Sequence, residues 1–233
     1  FEEKSEAFTV GIGISSDEKY YFISSSDHNT SEQYYFDINE KNPQPKLIQK
    51  REKGILYSVS SWNGYFYMHT NKNAEDFKID KTDNKNFENW KTFIPAKDET
   101  LIGGLTFLKN WIIRSEVSNA LGKIFVINLK TNTEEELTFS EETVYDGGIS
   151  LIQKDRNTNL IHISYSTPKT QSRVYLYNLK TKEKKLVKEV IIPSGHNPDD
   201  YIVERLDCNS HDGKKIPLTI VRNKKTKIDG NAK

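Results

Sequence analysis

The sequence predicts an all-β protein made of about four β-propeller blades. Short runs alternate apolar and polar residues, as half-buried strands do. A strand–turn–strand pattern recurs at Lys123–Phe139 and Arg173–Val187, which share the turn Asn-Leu-Lys-Thr, and more loosely at Gln33–Ile48 and Glu75–Phe93. One aliphatic residue marks each copy, at Ile38, Ile79, Leu129 and Leu179, and successive markers are 41, 50 and 50 residues apart. Repeats of about 40–50 residues with several strands each are typical of propeller blades.

The first two predicted blades cover approximately residues 8–52 and 55–95. In the first, alternation predicts strands at Val10–Ile14, Tyr20–Ser24, Glu32–Ile38 and Lys46–Ile48. In the second, it predicts strands at Ile55–Ser61, Tyr65–Thr70, Asp76–Ile79 and Trp90–Ile94. Asn63-Gly64 joins two of these strands, and this pair adopts the positive φ angles of a tight hairpin at little cost. The opening segment Phe1–Phe8 is predicted to be a polar connector.

The last two predicted blades cover approximately residues 100–139 and 144–188. Their strands are expected at Leu101–Leu108, Trp111–Ser115, Lys123–Leu129, Glu135–Phe139, Val144–Gln153, Leu160–Ser164, Val174–Leu179 and Lys185–Val187. The first strand of each carries a glycine pair, Gly103-Gly104 and Gly147-Gly148. Glycine weakens a strand unless the backbone must come close to another group, so we interpret both pairs as positions of close packing, with ligand contact as the alternative.

The repeat ends near residue 190, and the remaining chain has a different organisation. Residues 191–200 are rich in Pro, Gly and Asp and are predicted to be a connector. Tyr201–Asn223 is predicted to be one long hairpin around the turn Asp212-Gly213, and the tail to residue 233 to be irregular. The apolar residues Ile216, Leu218 and Ile220 would require another sheet to cover them.

Composition excludes several classes of function. The net charge is +1, from 34 basic and 33 acidic residues, so neither a nucleic-acid partner nor an anionic membrane partner is expected. No apolar run approaches the roughly 20 residues that cross a bilayer. The single cysteine, Cys208, excludes an internal disulfide and favours a reducing compartment, which predicts a cytoplasmic location. Because the chain begins at Phe1, we expect it to be a piece of a longer protein.

The chain shows no catalytic, cofactor-binding or metal-binding constellation, so no site residue and no cofactor is predicted. There is no Gly-x-Ser-x-Gly elbow, phosphate-binding glycine loop or Cys/His cluster, and the histidines are scattered: His28, His69, His162, His196, His211. Ser210-His211-Asp212 contains three triad residue types, but neighbours in a strand point to opposite faces, so it is interpreted as turn chemistry. Three charged groups are interpreted as solvated or turn residues: Glu134-Glu135-Glu136, Lys182–Lys188 and Asp199-Asp200.

The hairpin resembles a segment of a known peptidase family. Glu204–Lys225, which contains HDGKKIPLTIVRNKK, resembles the place where serine peptidases of the prolyl oligopeptidase family leave their propeller and begin their α/β-hydrolase domain. Four further stretches resemble the oligopeptidase B (protease II) branch: FEEKSEAFTVGIGISSDEKYYFI at the start, Thr30–Gln33, Thr70–Ile79 and Tyr165–Glu189. The resemblance extends over essentially the whole chain.

This resemblance implies both a fold and a function. Family members place a seven-bladed propeller over a hydrolase domain with a Ser-Asp-His triad, and the oligopeptidase B branch cleaves short peptides after Lys or Arg. The chain would be the second half of such a propeller and the first hairpin of the hydrolase domain. Its triad would lie beyond residue 233, so the isolated chain is predicted to be inactive. The partners implied are the catalytic domain of the same protein and short peptide substrates.

Two other functions remain open at this stage. A free-standing propeller that binds proteins without enzymatic activity is the main alternative, although such a module should end after its last blade. A propeller glycosidase would need two positioned carboxylates, which no motif identifies. A partial ring also has uncovered flanks near Phe8–Phe22 and Val174–Val187, so self-association through the open blade edges is expected.

Overall fold

The computed structural model of the chain describes residues 1–83, 85–138, 144–151 and 156–231. Within them lie eighteen strands and one 3₁₀ helix, Pro198–Asp200. The strands form four antiparallel sheets of four strands and one two-stranded hairpin. The prediction of an all-β protein with about four propeller blades is confirmed.

Each four-stranded sheet is a simple meander in which consecutive strands are neighbours. The first sheet contains β1 (Thr9–Ile14), β2 (Tyr20–Ser26), β3 (Ser31–Asp37) and β4 (Lys46–Gln49). The second contains β5 (Tyr57–Trp62), β6 (Tyr65–Thr70), β7 (Lys78–Asp83) and β8 (Lys91–Ile94). Asn63 and Gly64, between β5 and β6, have φ angles of 51° and 81°, as a tight hairpin turn requires.

The third and fourth sheets repeat this arrangement. The third contains β9 (Thr100–Leu108), β10 (Trp111–Ser118), β11 (Leu121–Asn128) and β12 (Thr133–Glu136). The fourth contains β13 (Asp146–Leu151), β14 (Leu160–Thr167), β15 (Thr170–Asn178) and β16 (Lys184–Glu189). The first strands of successive sheets begin 48, 43 and 46 residues apart, which agrees with the repeat length expected of blades.

The repeated Asn-Leu-Lys-Thr turns have a common structural basis. The backbone N–H of Leu129 donates to the carbonyl of Asn110 at 2.9 Å, and that of Leu179 donates to the carbonyl of Asn159 at 2.8 Å. The asparagine that opens each turn accepts a bond from the lysine N–H two residues later, at 2.9 Å in both copies. Each turn is therefore fastened to the turn before the second strand of its own sheet.

One of the four marker residues is not equivalent to the others. Ile38, Leu129 and Leu179 directly follow the third strands of their sheets, whereas Ile79 is the second residue of β7 and is fully buried. The interpretation of Ile79 as the counterpart of the other three markers is therefore wrong, and the distances of 41 and 50 residues measured to it do not give the repeat length. The error arises because an alternating strand offers several aliphatic positions, and only the following turn shows which one is the counterpart.

Several strands begin or end at residues other than the predicted ones. The strand β12 ends at Glu136, three residues before the predicted end at Phe139, which lies outside the described residues. The strand β7 begins two residues later than predicted, because Phe77 has a φ of 67° that a strand does not tolerate. The hairpin contains β17 (Tyr201–Asn209) and β18 (Lys215–Asn223), paired without a bulge.

The glycine pairs are not uniformly sites of close packing. A Cβ added to Gly104 would meet no atom within 4 Å, so the prediction of close backbone approach is wrong for that residue. A Cβ on Gly148 would lie 3.0 Å from the hydroxyl oxygen of Ser164. The prediction therefore holds for Gly148, whose carbonyl also accepts a bond from that hydroxyl at 3.3 Å.

The chain forms two compact units, Phe1–Phe107 and Leu108–Lys233. A core of the first unit is built from aromatic and aliphatic residues of its two four-stranded sheets: Phe22, Tyr35, Ile48, Tyr57, Val59, Phe66, Met68. The core of the second unit is largely aliphatic: Leu108, Trp111, Ile113, Ile124, Val126, Leu137, Ile161, Ile163, Tyr165, Tyr177, Leu179. Both cores use the aromatic and β-branched residues that suit pleated surfaces.

Within the first unit, side chains of β3 bind the free edge of β5. The hydroxyl of Ser31 accepts a bond from the N–H of Tyr57 at 2.6 Å and donates to the carbonyl of the same residue at 2.8 Å. The amide oxygen of Gln33 accepts a bond from the N–H of Val59 at 2.7 Å. The Tyr57 hydroxyl in turn accepts from the N–H of Gln33 at 2.7 Å. These bonds satisfy backbone groups of β5 that no strand pairs.

Candidate functional site

Three of the five histidines, His69, His162 and His196, lie in a four-stranded sheet or contact a backbone carbonyl group. The ring nitrogen Nε2 of His69 lies 2.7 Å from the carbonyl of Ile102, and its ring stacks on Phe77 at 4.5 Å. Burial lowers the pKa of His69. The Nε2 of His196 lies 2.6 Å from the carbonyl of Lys169, and His162 is partly buried in β14. The structure does not bring these three together into one cluster.

Ser210, His211 and Asp212 lie in the hairpin turn rather than in a strand. The hydroxyl of Ser210 is 3.4 Å from Nδ1 of His211, at the limit of a hydrogen bond. The carboxylate of Asp212 accepts a bond from the N–H of Lys214 at 3.2 Å. That bond first, and the Ser210 hydroxyl second, lower the pKa of Asp212. The carboxylate is thus used to close the turn, as Asp commonly is in turns.

The run Glu134–Glu136 is less simple than the prediction of a solvated strand end. Glu134 contacts Arg114 at 2.7 Å, and Arg114 is only 1% exposed. Arg114 also pairs with the buried Glu116 and lies over the ring of Phe125 at 4.6 Å. The sequence did not reveal this buried charge cluster, because a charged residue inside β10 appears the same as one on a solvated face.

The other charged residues that the sequence singled out are exposed. Lys184 to Lys188 lie in β16, whose residues are all exposed. Asp199 and Asp200 belong to the 3₁₀ helix, where the side chain of Asn197 caps the N–H of Asp199 at 3.1 Å. Across the described residues, no group of three or more His, Cys, Asp or Glu side chains is arranged to hold a metal ion.

An aromatic cage surrounds Lys81 in the second sheet. Its ammonium nitrogen lies 3.7 Å from the ring centre of Tyr65, and 5.5 and 5.4 Å from those of Tyr67 and Phe93. Burial lowers the pKa of Lys81, and the charge of Asp83 opposes this effect. A cavity of about 230 Å³ lies beside the cage. Because the ammonium group of Lys81 occupies the cage, the three aromatic rings already have a cation from the same chain as their partner.

The hairpin presents an exposed apolar face. Leu206 is paired with Leu218 and Cys208 with Ile216, so these four side chains share one face. Leu206, Ile216 and Leu218 are 50%, 52% and 43% exposed, and Cys208 is also exposed. Exposed apolar patches of this kind usually mark a surface that contacts another protein segment.

The comparison with protein families decides the relationship. The model of the N-terminal beta-propeller domain of prolyl oligopeptidase matches residues 1–190. The chain belongs to the prolyl oligopeptidase family. The match covers all four sheets of the chain and ends one residue after β16. The resemblance stated from the sequence is therefore confirmed.

Curated members of the prolyl oligopeptidase family match over nearly the whole chain. Dipeptidyl aminopeptidase BI of Pseudoxanthomonas mexicana is 28% identical over 236 residues, and the match covers 100% of this chain and 32% of the relative. Protease 2 of Moraxella lacunata is 24% identical, with 95% of this chain and 31% of the relative covered. The chain thus spans about a third of the length of these relatives.

Solved structures of the prolyl oligopeptidase family have the same fold. Oligopeptidase B from Trypanosoma brucei, in a closed form with covalently bound antipain, matches with a TM-score of 0.88 and 24% identity. Oligopeptidase B from Leishmania major matches with a TM-score of 0.86 and 18% identity. Each match covers 98% of this chain and 34% of the solved chain.

No helix in the described ranges is long and apolar enough to cross a membrane.

Proposed function

We propose that the chain is the substrate-gating propeller portion of a serine endopeptidase that hydrolyses short peptides after Lys or Arg. The observation that carries this proposal is the match of residues 1–190 to the propeller domain of a family of serine peptidases. The chain continues beyond that match into a hairpin, whereas a free-standing binding propeller has no need of one. The catalytic Ser, Asp and His belong to the segment after residue 233, and the chain itself is not catalytic.

The hairpin is the proposed junction with the catalytic domain. Its strands pair over nine positions, which makes it a regular sheet element rather than a loose linker. The exposed face of Leu206, Ile216 and Leu218 needs apolar cover that the described part of the chain does not supply. An α/β-hydrolase domain of the same protein provides such cover by adding further strands and helices. This domain is therefore the proposed intramolecular partner.

The propeller acts as a size filter. A ring of blades placed over an active site admits short, flexible peptides, whereas a folded protein is too wide to reach the nucleophile. The preference for Lys and Arg is proposed from the resemblance of the quoted stretches to oligopeptidase B. The exposed free thiol of Cys208 supports a cytoplasmic location, where thiols stay reduced. Fractionation of the source cells with antibodies against this chain tests that location.

The test uses protein expressed from its complete coding region. Fluorogenic peptides that end in Arg or Lys should be hydrolysed, and an otherwise identical peptide ending in Glu should not. A serine-directed phosphonate should abolish the activity, and a folded protein with exposed arginines should remain uncut. The isolated 233-residue chain should be inactive toward every substrate, because it lacks an activated nucleophile.

Two results would contradict the proposal. Turnover by the rigorously purified isolated chain would show that the nucleophile lies within it. If the protein only removes dipeptides from substrates with a free N-terminus, the result would instead support an exopeptidase like the relative named dipeptidyl aminopeptidase.

A further inference from the structure

A cavity of about 430 Å³ lies in the second unit, where the two Asn-Leu-Lys-Thr turns come together. Its apolar surface is formed by Trp111, Val126 and Leu179, all of which belong to the core. Its size is within the range of small-molecule sites, which are also mostly concave with a few convergent polar groups. The strongest repeat in the sequence thus builds one concave surface.

The asparagine side chains around this cavity have hydrogen-bond donors that can bind a ligand. Asn110, Asn128 and Asn159 all line it. The side-chain oxygen of Asn159 accepts a bond from the indole N–H of Trp111 at 2.9 Å, and that of Asn128 accepts from the N–H of Lys130 at 2.9 Å. The side-chain oxygens of Asn128 and Asn159 are therefore used within the protein. Among the described residues, no acceptor takes up the NH₂ groups of these amides, which remain for a ligand with acceptor atoms.

The charge of the cavity is positive. Lys130, Lys180 and Lys182 line it together with one carboxylate, Glu135, which gives a formal charge of +2. Glu135 pairs with Lys182, whose pKa is lowered by burial. In the part of the chain that the structure describes, Lys130 and Lys180 have no acidic partner. These two lysines occupy the same position in the two copies of the turn.

We propose that this cavity binds a small dianion, either a phosphate ester or a dicarboxylate, through Lys130, Lys180 and the neighbouring asparagine amides. A dianion neutralises the formal charge of the cavity, and its oxygens accept from both ammonium and amide groups. The organic part of the ligand packs against Trp111. At about 430 Å³ the cavity lies within the range of roughly 300–1,000 Å³ that ligand pockets have, so it accommodates an organic group together with its anionic groups.

The first sheet provides an internal contrast. Its corresponding turn reads Asp37-Ile38-Asn39, and the N–H of Ile38 donates to the carbonyl of Lys19 at 3.0 Å, as Leu129 and Leu179 do in their sheets. The backbone arrangement is therefore the same, but an acid replaces the first asparagine and an asparagine replaces the lysine. The lysines of the later turns are not required by the turn itself. This inference does not depend on the proposed peptidase activity.

Calorimetric titration of the protein from its complete coding region tests the proposal. The probes are glycerol phosphate, inorganic phosphate and succinate, with glycerol as the uncharged comparison, in buffer of low ionic strength that limits screening. Glycerol phosphate or succinate should bind, and the two distinguish the phosphate from the carboxylate source. Lys130→Ala and Lys180→Ala should each weaken binding about tenfold, because each removes charge-assisted hydrogen bonds.

Matched variants separate binding from folding. Lys185→Ala removes an exposed lysine of β16, the strand that follows the turn of Lys180, and this lysine does not line the cavity. This change should alter the affinity less than twofold. Lys130→Arg should retain binding, and all variants should keep the thermal midpoint of the parent protein. The proposal is overturned if neither glycerol phosphate nor succinate binds. Equal weakening by Lys185→Ala would also overturn it, since that result indicates nonspecific attraction.

Discussion

Arg51 and Glu3 are 48 residues apart in sequence, and the guanidinium Nη2 of Arg51 lies 2.6 Å from Oε2 of Glu3. The hydroxyl of Ser25 donates to the same carboxylate oxygen at 2.6 Å. Arg51 also contacts Glu32 at 3.3 Å and lies over the ring of Phe8 at 4.2 Å. The opening segment, predicted to be a polar connector, is therefore fixed onto the first sheet.

This contact predicts a pH-dependent contribution to stability. The hydroxyl of Ser25 first, then the N–H of Ser5 and the side chain of Arg51, lower the pKa of Glu3 from 4.5 to about 2. A lowered pKa in the folded state stabilises the protein above pH 4.5, and this contribution is lost as the pH falls toward 2. Glu3→Gln should therefore lower the thermal midpoint at neutral pH, and the difference from the parent should shrink on acidification.

Thermal unfolding followed by circular dichroism between pH 3 and 7 measures this difference. Glu2→Gln is the matched control, because Glu2 is exposed in the same segment. A difference that stays constant over this pH range would show that the Glu3 carboxylate does not act through its charge.

The buried Arg114 should be far more important for stability than an exposed arginine. Arg114→Met leaves Glu116, which is 3% exposed, without the guanidinium that faces it, at an expected cost of about 3–5 kcal/mol in the free energy of unfolding. Arg173→Met removes a partly exposed pair with Glu189 and should cost less than about 1 kcal/mol. Urea unfolding measures both. Equal losses would show that burial does not set the strength of the Arg114 pair.

Two glycine substitutions should have opposite effects. Gly64 has a φ of 81°, so Gly64→Ala should destabilise the protein by about 1 kcal/mol. Gly104 lies in a strand with open space around its Cα, so Gly104→Ala should stabilise by about 0.4–1 kcal/mol through the unfolded state. Chemical denaturation reports both values. Destabilisation by Gly104→Ala would indicate that another group covers this strand.

The open edge of the first sheet should make the isolated chain self-associate. Val10, Ile12 and Ile14 share one face of β1 and are 44%, 65% and 48% exposed. Such an uncovered apolar strand is a template for pairing with a second copy. Sedimentation velocity from about 1 to 100 μM should show association that Ile12→Lys reduces.

Ile191→Lys is the control for that experiment, since Ile191 is 84% exposed but lies outside the sheets. A chain that is monomeric at all concentrations, with a melting transition independent of concentration, would contradict the prediction.

The alternation of apolar and polar residues predicted the strands well, because the burial of each strand determines which of its positions are apolar. In β14, Ile161, Ile163 and Tyr165 are buried and alternate with less buried residues, because one face of the strand packs on the core. Asn63-Gly64 marks its hairpin by backbone preference alone. Ile79 shows the limit, because periodicity identifies a strand but not its register against the next repeat. Gly104 shows a second limit, since the need for glycine depends on neighbours that are distant in sequence.

The candidate sites were less accessible from sequence than the fold. The family resemblance in Glu204–Lys225 could be recognised because its residues are contiguous. The cavity around Lys130 and Lys180 could not, since its surface combines residues up to 72 positions apart, from Asn110 to Lys182. The repeated turn was visible, but its role depends on which turns become neighbours in space.

The bonds from Ser31 and Gln33 to β5 have a consequence for how such a protein can change by duplication. The groups that complete the first strand of the second sheet are encoded in the third strand of the first sheet. A copied gene segment that began at residue 55 would carry β5 without its partners. The second sheet thus depends on the first for hydrogen bonds at its edge, and a duplicated segment that included β3 together with β5 would keep these bonds.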